Sequence, residues 1–478
     1  MPGACVDGMN PVAVKFAVNQ ARLGWLPCYI EAETYRYFHH GGKIPGSAFG
    51  YRNKEEESRW KERDPLNSTH EQLLRLGVLD DEKHEVLISN AESCIQRAVE
   101  SCTEVSGKGT RVFLDELWPS SETLKTGLRD DSIFELTPFV EEEDLECTRE
   151  IRYSDAIAES TGRWLEKDPK VIVMGEEVGN MKGGSYGATM GLPDRFPDRL
   201  LNTPISEAGF CGLAAGAAMN GMHPVVEIMY SSFVLVAADQ IFNQIGQLSH
   251  IYGGKVDLPL VLRVRIAMGF GFGAQHSLDP AAIFHLFPGW RIFAPSTPFD
   301  YIGLFNVAMN SKHPIVMLEH HEFYGRKGKV PAGPLDHLVR PGKAKVIRPG
   351  TDITLVTYSS TTLQALEAAR QLVKEDIDAE VIDLRTLDRA TTDFEAIGRS
   401  LMKTGRLLTV EQAPRSGSIG PHIIAECIER FDEHLRQPPR SLAGPSVPVP
   451  VSKRLEELCF PDAKGIQQTI RQCLGSRP

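Results

Sequence analysis

LNTPISEAGFCGLAAGAAMN, residues 201–220, is the stretch whose reading decides the fold. A short run ending at Ile205 delivers one carboxylate, Glu207, to the start of a helix made almost wholly of small residues. Gly209, Gly212 and Gly216 recur at spacings of three and four, with alanines between them. Glycine in a helix interior costs about 1 kcal/mol against alanine, so three of them need a compensating reason. Two reasons are open. One is a tight helix–helix seam with an ordinary first-turn glutamate; the other is a large group packed very close to this backbone.

Outward from this stretch, strands and helices alternate. A helix over 154–166 precedes the apolar run 171–174. After the small-residue helix come the run 224–229, a helix near 236–250 and the run 258–263. A glycine-rich loop, MGFGFGAQH at 268–276, follows, then a helix from 298 to 310 and the run 314–319. Continuous apolar strands separated by helices predict a parallel sheet covered on both faces. A connection rich in Gly, Pro and Lys, 325–343, leads to a second alternating unit. Its strands are read at 353–357, 379–383 and 406–410, with helices near 363–374, 394–402, 419–431 and 463–473.

The head of the chain is different. A helix over 11–23, with Asn10 as N-cap and Pro11 in the first helical position, is followed by a strand over 26–32. Residues 54–64 and 69–103 read as charged helices, so one strand and several helices open the chain. Between 119 and 149 the pattern weakens and acids cluster at 141–144, which reads as a linker.

With 478 residues, the chain is too long for one core. A net charge of −11 argues against a nucleic acid as the main partner. No apolar run is long enough to span a bilayer, so no membrane is expected, and no signal peptide is read at the start. The nine cysteines are odd in number and form no C-x-x-C pair, which suits free thiols in a reducing compartment. The cytoplasm is expected, or the mitochondrial matrix in a eukaryote, although no transit peptide is seen.

Chemistry-bearing residues are few. No phosphate-binding lysine motif follows a strand, and the glycines at 269, 271 and 273 read as a loop presenting His276. Glycine lets a ligand approach the backbone closely, and open α/β sheets place ligands at strand ends. Glu176 and Glu177 also follow a strand end. As bare residues, a lone loop histidine such as His276 is more often a surface residue than a catalyst, and the two glutamates read equally as solvated charges.

A resemblance orders these residues. Residues 150–475 resemble the beta subunit of the thiamine-diphosphate-dependent decarboxylating component of 2-oxo acid dehydrogenase complexes, the pyruvate, branched-chain and acetoin enzymes. The motifs are GEEV at 175–178, TPISEAGF at 203–210, the run to 229, DQ at 239–240, GAQHS at 273–277, PGWRIFAPSTPFD at 288–300, IDLRTLD at 382–388 and TVEQAP at 409–414. The head is similar to another subunit: VDGMN at 6–10, IEAETYRY at 30–37, YRNKEEE at 51–57 and KERDP at 61–65 look like the C-terminal third of the alpha subunit. The implied fold is α/β, a transketolase-like pyrimidine-binding domain (150–325) with helices on both faces of a parallel sheet. A transketolase C-terminal-like α/β domain (341–478) follows it, and an alpha-like segment (1–118) and a linker (119–149) precede it.

The resemblance also implies roles. Glu207 matches the residue that contacts the aminopyrimidine ring of thiamine diphosphate and shares a proton with a ring nitrogen. Phe233 matches the aromatic residue stacked on that ring, Met229 a neighbouring apolar contact, and His276 the histidine facing the substrate during acyl transfer. His40 matches a histidine of the alpha subunit's cofactor-proximal loop; the HGGK at 40–43 departs from the HS-x-S that is phosphorylated in some members. Potassium sites of some beta subunits correspond to backbone carbonyls of Leu260, Ala308, Met309, Ser311 and His313, two with departed side chains. The GDG…N motif that holds magnesium and the diphosphate is not among these residues, so an alpha-type partner or an upstream segment would supply it. A lipoyl transacylase core and a homo- or hetero-oligomer are the other implied partners. The rival readings are a transketolase-like or deoxyxylulose-phosphate-synthase-like enzyme, and a non-catalytic or regulatory subunit.

Overall fold

The computed structural model describes residues 2–24, 27–118, 120, 127–180 and 183–475. Two compact units divide the chain, Met1–Pro119 and Ser120–Pro478.

In the first unit, strand β1 (Gly3–Asp7) leads through helix α1 (Pro11–Leu23) to strand β2 (Tyr29–Glu33), and the two strands pair in parallel. The cap of α1 is as expected: the Asn10 side chain accepts from the N–H groups of Val12 and Ala13 at 3.0 and 3.3 Å. Only one strand was expected; β1 is a five-residue run in which three residues are exposed, so it carries no buried apolar signature. The charged region forms helices α2 (Lys54–Glu62), α3 (Pro65–Arg75) and α4 (Asp81–Cys102). Gly77, at φ +67°, and the Asp80 cap break what reads in sequence as one long helix. A hairpin of β3 (Thr103–Val105) and β4 (Arg111–Phe113) follows.

The second unit begins with β5 (Thr148–Arg152), α5 (Tyr153–Lys167) and β6 (Val171–Gly175). Strand β7 (Leu200–Asn202) leads to the small-residue helix α6 (Glu207–Met219), then β8 (His223–Ile228) and β9 (Val261–Ile266). Strand β10 (Arg291–Phe293), helix α7 (Pro298–Ala308), β11 (Ile315–His320) and β12 (Lys327–Pro331) complete the first domain. Its sheet has the order β10-β11-β9-β8-β6-β7 with every pair parallel, and β12 pairs antiparallel with β5 outside it. All eleven residues of α7 are buried, Asp300 and Asn306 among them.

Inside this sheet sits a charge cluster. Arg263 on β9 is fully buried and donates to Glu319 on β11 at 2.7 and 2.9 Å and to Glu227 on β8 at 2.9 Å. The Tyr301 and Tyr324 hydroxyls donate to the same Glu319 carboxylate, both at 2.8 Å. Every oxygen of Glu319 is thereby compensated, which is what makes a buried ion pair tolerable.

The C-terminal domain comprises β13 (Lys345–Arg348), β14 (Ile353–Thr357), α8 (Thr361–Leu372), β15 (Ala379–Asp383), α9 (Phe394–Thr404), β16 (Leu407–Pro414), α10 (Gly420–Phe431), β17 (Arg440–Gly444) and α11 (Ala463–Cys473). Its sheet order is β13-β15-β14-β16-β17, parallel except for β13.

The segment read as a linker, 119–149, lies in part outside the described residues. From Gly127 onward it is packed. Ile133 is fully buried, and Arg291 donates to the Asp130 carbonyl at 3.0 Å and to the Asp131 carboxylate at 2.5 Å. Arg129 pairs with Asp388. Of the acidic cluster, Glu141 takes both ends of the Arg385 guanidinium at 2.9 and 3.0 Å, while Arg385 also donates to Asp300 at 3.0 Å and to the Lys343 carbonyl at 2.7 Å. Arg385 is 1% exposed and holds φ +58° without being glycine, a conformation that costs on the order of 1 kcal/mol and persists only where its surroundings impose it. Replacing Arg385 by Met strands two acids, so urea unfolding is expected to show a loss of about 3–5 kcal/mol. The exposed pair Arg399–Glu395 is the control: Arg399→Met should stay within about 0.5 kcal/mol of the parent.

Candidate active site

Because the six strands run parallel, the segments leaving their C-terminal ends meet at one edge of the sheet, where open α/β sheets hold ligands. Glu176 follows β6, Thr203 and Glu207 follow β7, Met229 and Phe233 follow β8, His276 follows β9 and His321 follows β11. Five separate stretches of sequence thus reach one edge of the sheet for a topological reason.

Glu207 is the first residue of α6 and is 4% exposed. Glu176 lies close enough to feel it. Burial, then the Glu207 and Glu177 charges, hold the Glu176 carboxyl above the usual range, and its Oε1 has no hydrogen-bond partner. The Oγ1 of Thr203 and the Oγ of Ser232 are likewise buried without partners. The sequence left Glu176 open as a solvated charge; it is buried.

The glycine helix is one-sided. Its inward face, Phe210, Cys211, Ala214 and Ala218, packs in the core, while Gly209, Gly212, Leu213, Gly216 and Met219 are exposed. A Cβ on Gly216 would meet nothing within 4 Å, and one on Gly212 would meet only the Gln240 side chain at 3.5 Å. Within the second unit, nothing packs tightly against this stripe.

A ring cluster gathers the remaining expected residues. The His276 ring lies 4.4 Å from that of Tyr230 and 5.2 Å from that of Phe233, both edge-on. The Met229 carbonyl accepts from Arg265 Nε at 2.8 Å, and the Arg265 guanidinium lies 3.3 Å from the Tyr186 ring centroid and 4.2 Å from that of Tyr230. The Tyr186 and Tyr230 hydroxyls hydrogen-bond to each other. Burial and the neighbouring Arg265 push His321 down to about 4, so near neutrality its ring is uncharged and its Nδ1 can face Arg265 Nη1 at 3.4 Å. Arg265, Tyr186, Tyr230 and His321 are additions to the sequence reading. The one available signal was a second arginine near the end of β9, two residues after Arg263.

His40 belongs to the first unit, where it is exposed and its ring lies 4.3 Å from that of His39. Leu260, Ala308, Met309, Ser311 and His313 are all buried. Three of their carbonyls already accept one bond each: Leu260 from Ile315 N–H at 3.0 Å, Ala308 from Ser311 N–H at 3.1 Å, and His313 from the Ser311 hydroxyl at 2.9 Å.

This edge suits the pyrimidine end of thiamine diphosphate, because a buried carboxylate pair with an unsatisfied oxygen stands beside apolar and aromatic side chains. Among the described residues, no group of three His, Cys, Asp or Glu side chains is arranged to hold a metal ion.

Fold and site together define the pyrimidine-binding half of a transketolase-type site. Residues 149–326 match the family described as transketolase, pyrimidine binding domain, residues 342–466 match transketolase, C-terminal domain, and residues 1–108 match dehydrogenase E1 component. The beta subunit of acetoin:2,6-dichlorophenolindophenol oxidoreductase from Cupriavidus necator is 36% identical over 68% of this chain and 98% of its own length. The chloroplastic pyruvate dehydrogenase E1 component subunit beta-2 of Arabidopsis thaliana is 37% identical over 75% of this chain and 88% of its own. A solved structure titled split gene transketolase, inactive beta4 tetramer, superposes with a TM-score of 0.55 at 22% identity, covering 69% of this chain and all of that one, a likeness of fold. The chain belongs to the beta-subunit family of the 2-oxo acid dehydrogenase E1 component, with an alpha-type E1 fragment at its head.

On β16 of the C-terminal domain, the buried Glu411 accepts from the N–H groups of Ile419 and Gly420 at 3.0 and 2.7 Å, and burial pushes its carboxyl up to about 7. The folded chain therefore binds this proton more tightly than the unfolded one. Its contribution to stability is present at acid pH and declines between about pH 4.5 and 7, with a slope of at most about 1.4 kcal/mol per pH unit. Glu411→Gln should flatten that part of the stability–pH profile, measured by urea unfolding; an unaltered slope would show that Glu411 ionises normally.

Proposed function

We propose that this chain is the beta half of a thiamine-diphosphate-dependent 2-oxo acid dehydrogenase. It works in an assembly with an alpha-type polypeptide or segment that holds the diphosphate and magnesium. The 2-oxo acid loses its carboxylate as carbon dioxide, and the acyl group passes to the lipoyl disulfide of a transacylase core, which opens to an acyl thioester and a thiol. Pyruvate is the proposed substrate ahead of 3-methyl-2-oxobutanoate, since both relatives named above act outside the branched-chain group. No described helix is long and apolar enough to cross a membrane, and we place the assembly in a reducing compartment, the cytoplasm or an organelle interior.

The observation that carries the reading is the buried Glu207 at the start of a helix whose glycine face is left open. The cofactor, when bound, supplies the electron sink for breaking the carbon–carbon bond. The side chains of this chain supply position and proton control. Glu207 shares a proton with a pyrimidine nitrogen, and Glu176 keeps a high local demand for that proton. Phe233 and Met229 present an apolar wall to the ring. His276, held edge-on by Tyr230 and Phe233, faces the reacting carbon and manages the proton during acyl transfer. His40, on the alpha-type head, is assigned to the cofactor-proximal loop on resemblance alone. The buried corner of Leu260, Ala308, Met309, Ser311 and His313 is assigned to potassium, since each engaged carbonyl keeps a second lone pair.

Two outcomes test this. In the reconstituted assembly, Glu207→Gln should lower kcat for pyruvate by about 10²–10⁴-fold, the range of a lost proton-transfer partner, without changing the melting temperature; full activity would sink the assignment. Gly216→Phe should fold normally, because glycine is the poorer helix former and no neighbour stands in the way, yet fail to co-elute with the alpha-type partner on gel filtration.

A further inference from the structure

The loop that carries His276 is held by the other domain. Gly269 and Gly271 have φ of +89° and +75°, a left-handed conformation that turns their N–H groups to the same side. Both groups donate to one carboxylate, that of Glu456, at 2.9 Å to Oε1 and 2.7 Å to Oε2. Glu456 lies in the C-terminal domain and is 1% exposed; no salt bridge to it is seen among the described residues, so its partners here are the two backbone amides. The same stretch closes over the rest of the loop, since a Cβ on Gly273 would meet Val451 Cγ2 at 2.8 Å. The far end of the loop is tied as well. Asp279 Oδ2 accepts from the Tyr358 hydroxyl at 3.0 Å and from Gln412 Nε2 at 2.9 Å, both of the C-terminal domain, while its Oδ1 accepts from Ala281 N–H at 3.0 Å.

We propose that the C-terminal domain is the positioning device for His276, acting through a two-point clamp: Glu456 on the amides of Gly269 and Gly271, and Tyr358 with Gln412 on Asp279. Glu456 is a positioning residue, since it touches the loop and not the expected place of the substrate. Charge-assisted bonds to backbone amides are about twice as strong as neutral ones, and two on one carboxylate fix both the position and the rotation of the loop. The three glycines acquire a reason: a side chain at 269 or 271 would resist the left-handed turn, and one at 273 would strike Val451. The role for His276 rests on the function proposed above, whereas the clamp itself does not.

The test uses the full chain and two readouts. In amide hydrogen exchange, Glu456→Ala should expose the amides of residues 269–271 about 10- to 100-fold faster, the loss of hydrogen bonds to a charged group. Glu456→Gln, which keeps the shape and one acceptor, should fall between the two, and the exposed neighbour Glu457→Gln should change nothing. Tyr358→Phe, which removes only a hydroxyl, should loosen 277–281. In the reconstituted assembly, Glu456→Ala should slow acylation of a lipoyl domain more than it slows decarboxylation read with an artificial electron acceptor. In a His276→Ala background it should add no further loss. Unchanged exchange in both Glu456 variants overturns the clamp, and faster exchange with fully additive kinetic losses overturns its action through His276. An inactive parent assembly would count against the proposed function and leave the exchange result to decide the clamp.

Discussion

A single guanidinium ties the second unit together. Arg385 leaves the end of β15 in the C-terminal domain and meets Asp300 at the start of α7 in the pyrimidine-binding domain and Glu141 in the segment before β5. Three stretches far apart in sequence are thereby referenced to one planar fork, whose bidentate geometry tolerates little rotation. Burying so many charges is costly, and apolar packing could give as much stability. What the ionic arrangement adds is geometry: the two domains meet in one orientation, and the strand ends of the first are set against the loops of the second.

The Arg263–Glu319–Glu227 cluster extends the same logic into the sheet. It crosses β8, β9 and β11 beneath the edge where Phe233, His276 and His321 emerge. A one-residue slip of any of these strands would turn a charge to the opposite face, so the register is held by an electrostatic cost as well as by packing. The proposed site stands on that floor. Arg265, two residues on, reaches out of the sheet to Met229 and the two tyrosines, so the floor continues into the wall of the site.

Helix α6 shows what an unfinished surface looks like. Its buried face is ordinary core, but its outer glycines meet only the side chains of Ser206 and Gln240, and Gly216 nothing, so their cost in helix stability is not recovered within the second unit. Of the two reasons open at the sequence level, a tight seam within the second unit is absent, and a close-packed external group is the one the proposed assembly supplies.

The sequence by itself determined the fold class, the interior strands and most helices, because buried parallel strands and amphipathic helices have periodicities that local residues carry. Strands β6, β8, β11, β14, β15 and β16 were legible for that reason; β7, β10, β13 and β17 were not, being the edges of their sheets, where few apolar residues are needed. Glu207, Phe233 and His276 were singled out through motif, and the structure sets the His276 ring 5.2 Å from that of Phe233. The packed segment from Gly127, the roles of Arg385 and Glu141, the burial of Glu176, and the Arg265 and Glu456 contacts were decided only by tertiary structure. An acidic run has the same composition whether it faces water or a buried arginine, and a left-handed glycine loop does not name the carboxylate it binds. Both depend on contacts between residues more than a hundred positions apart, which no local pattern encodes.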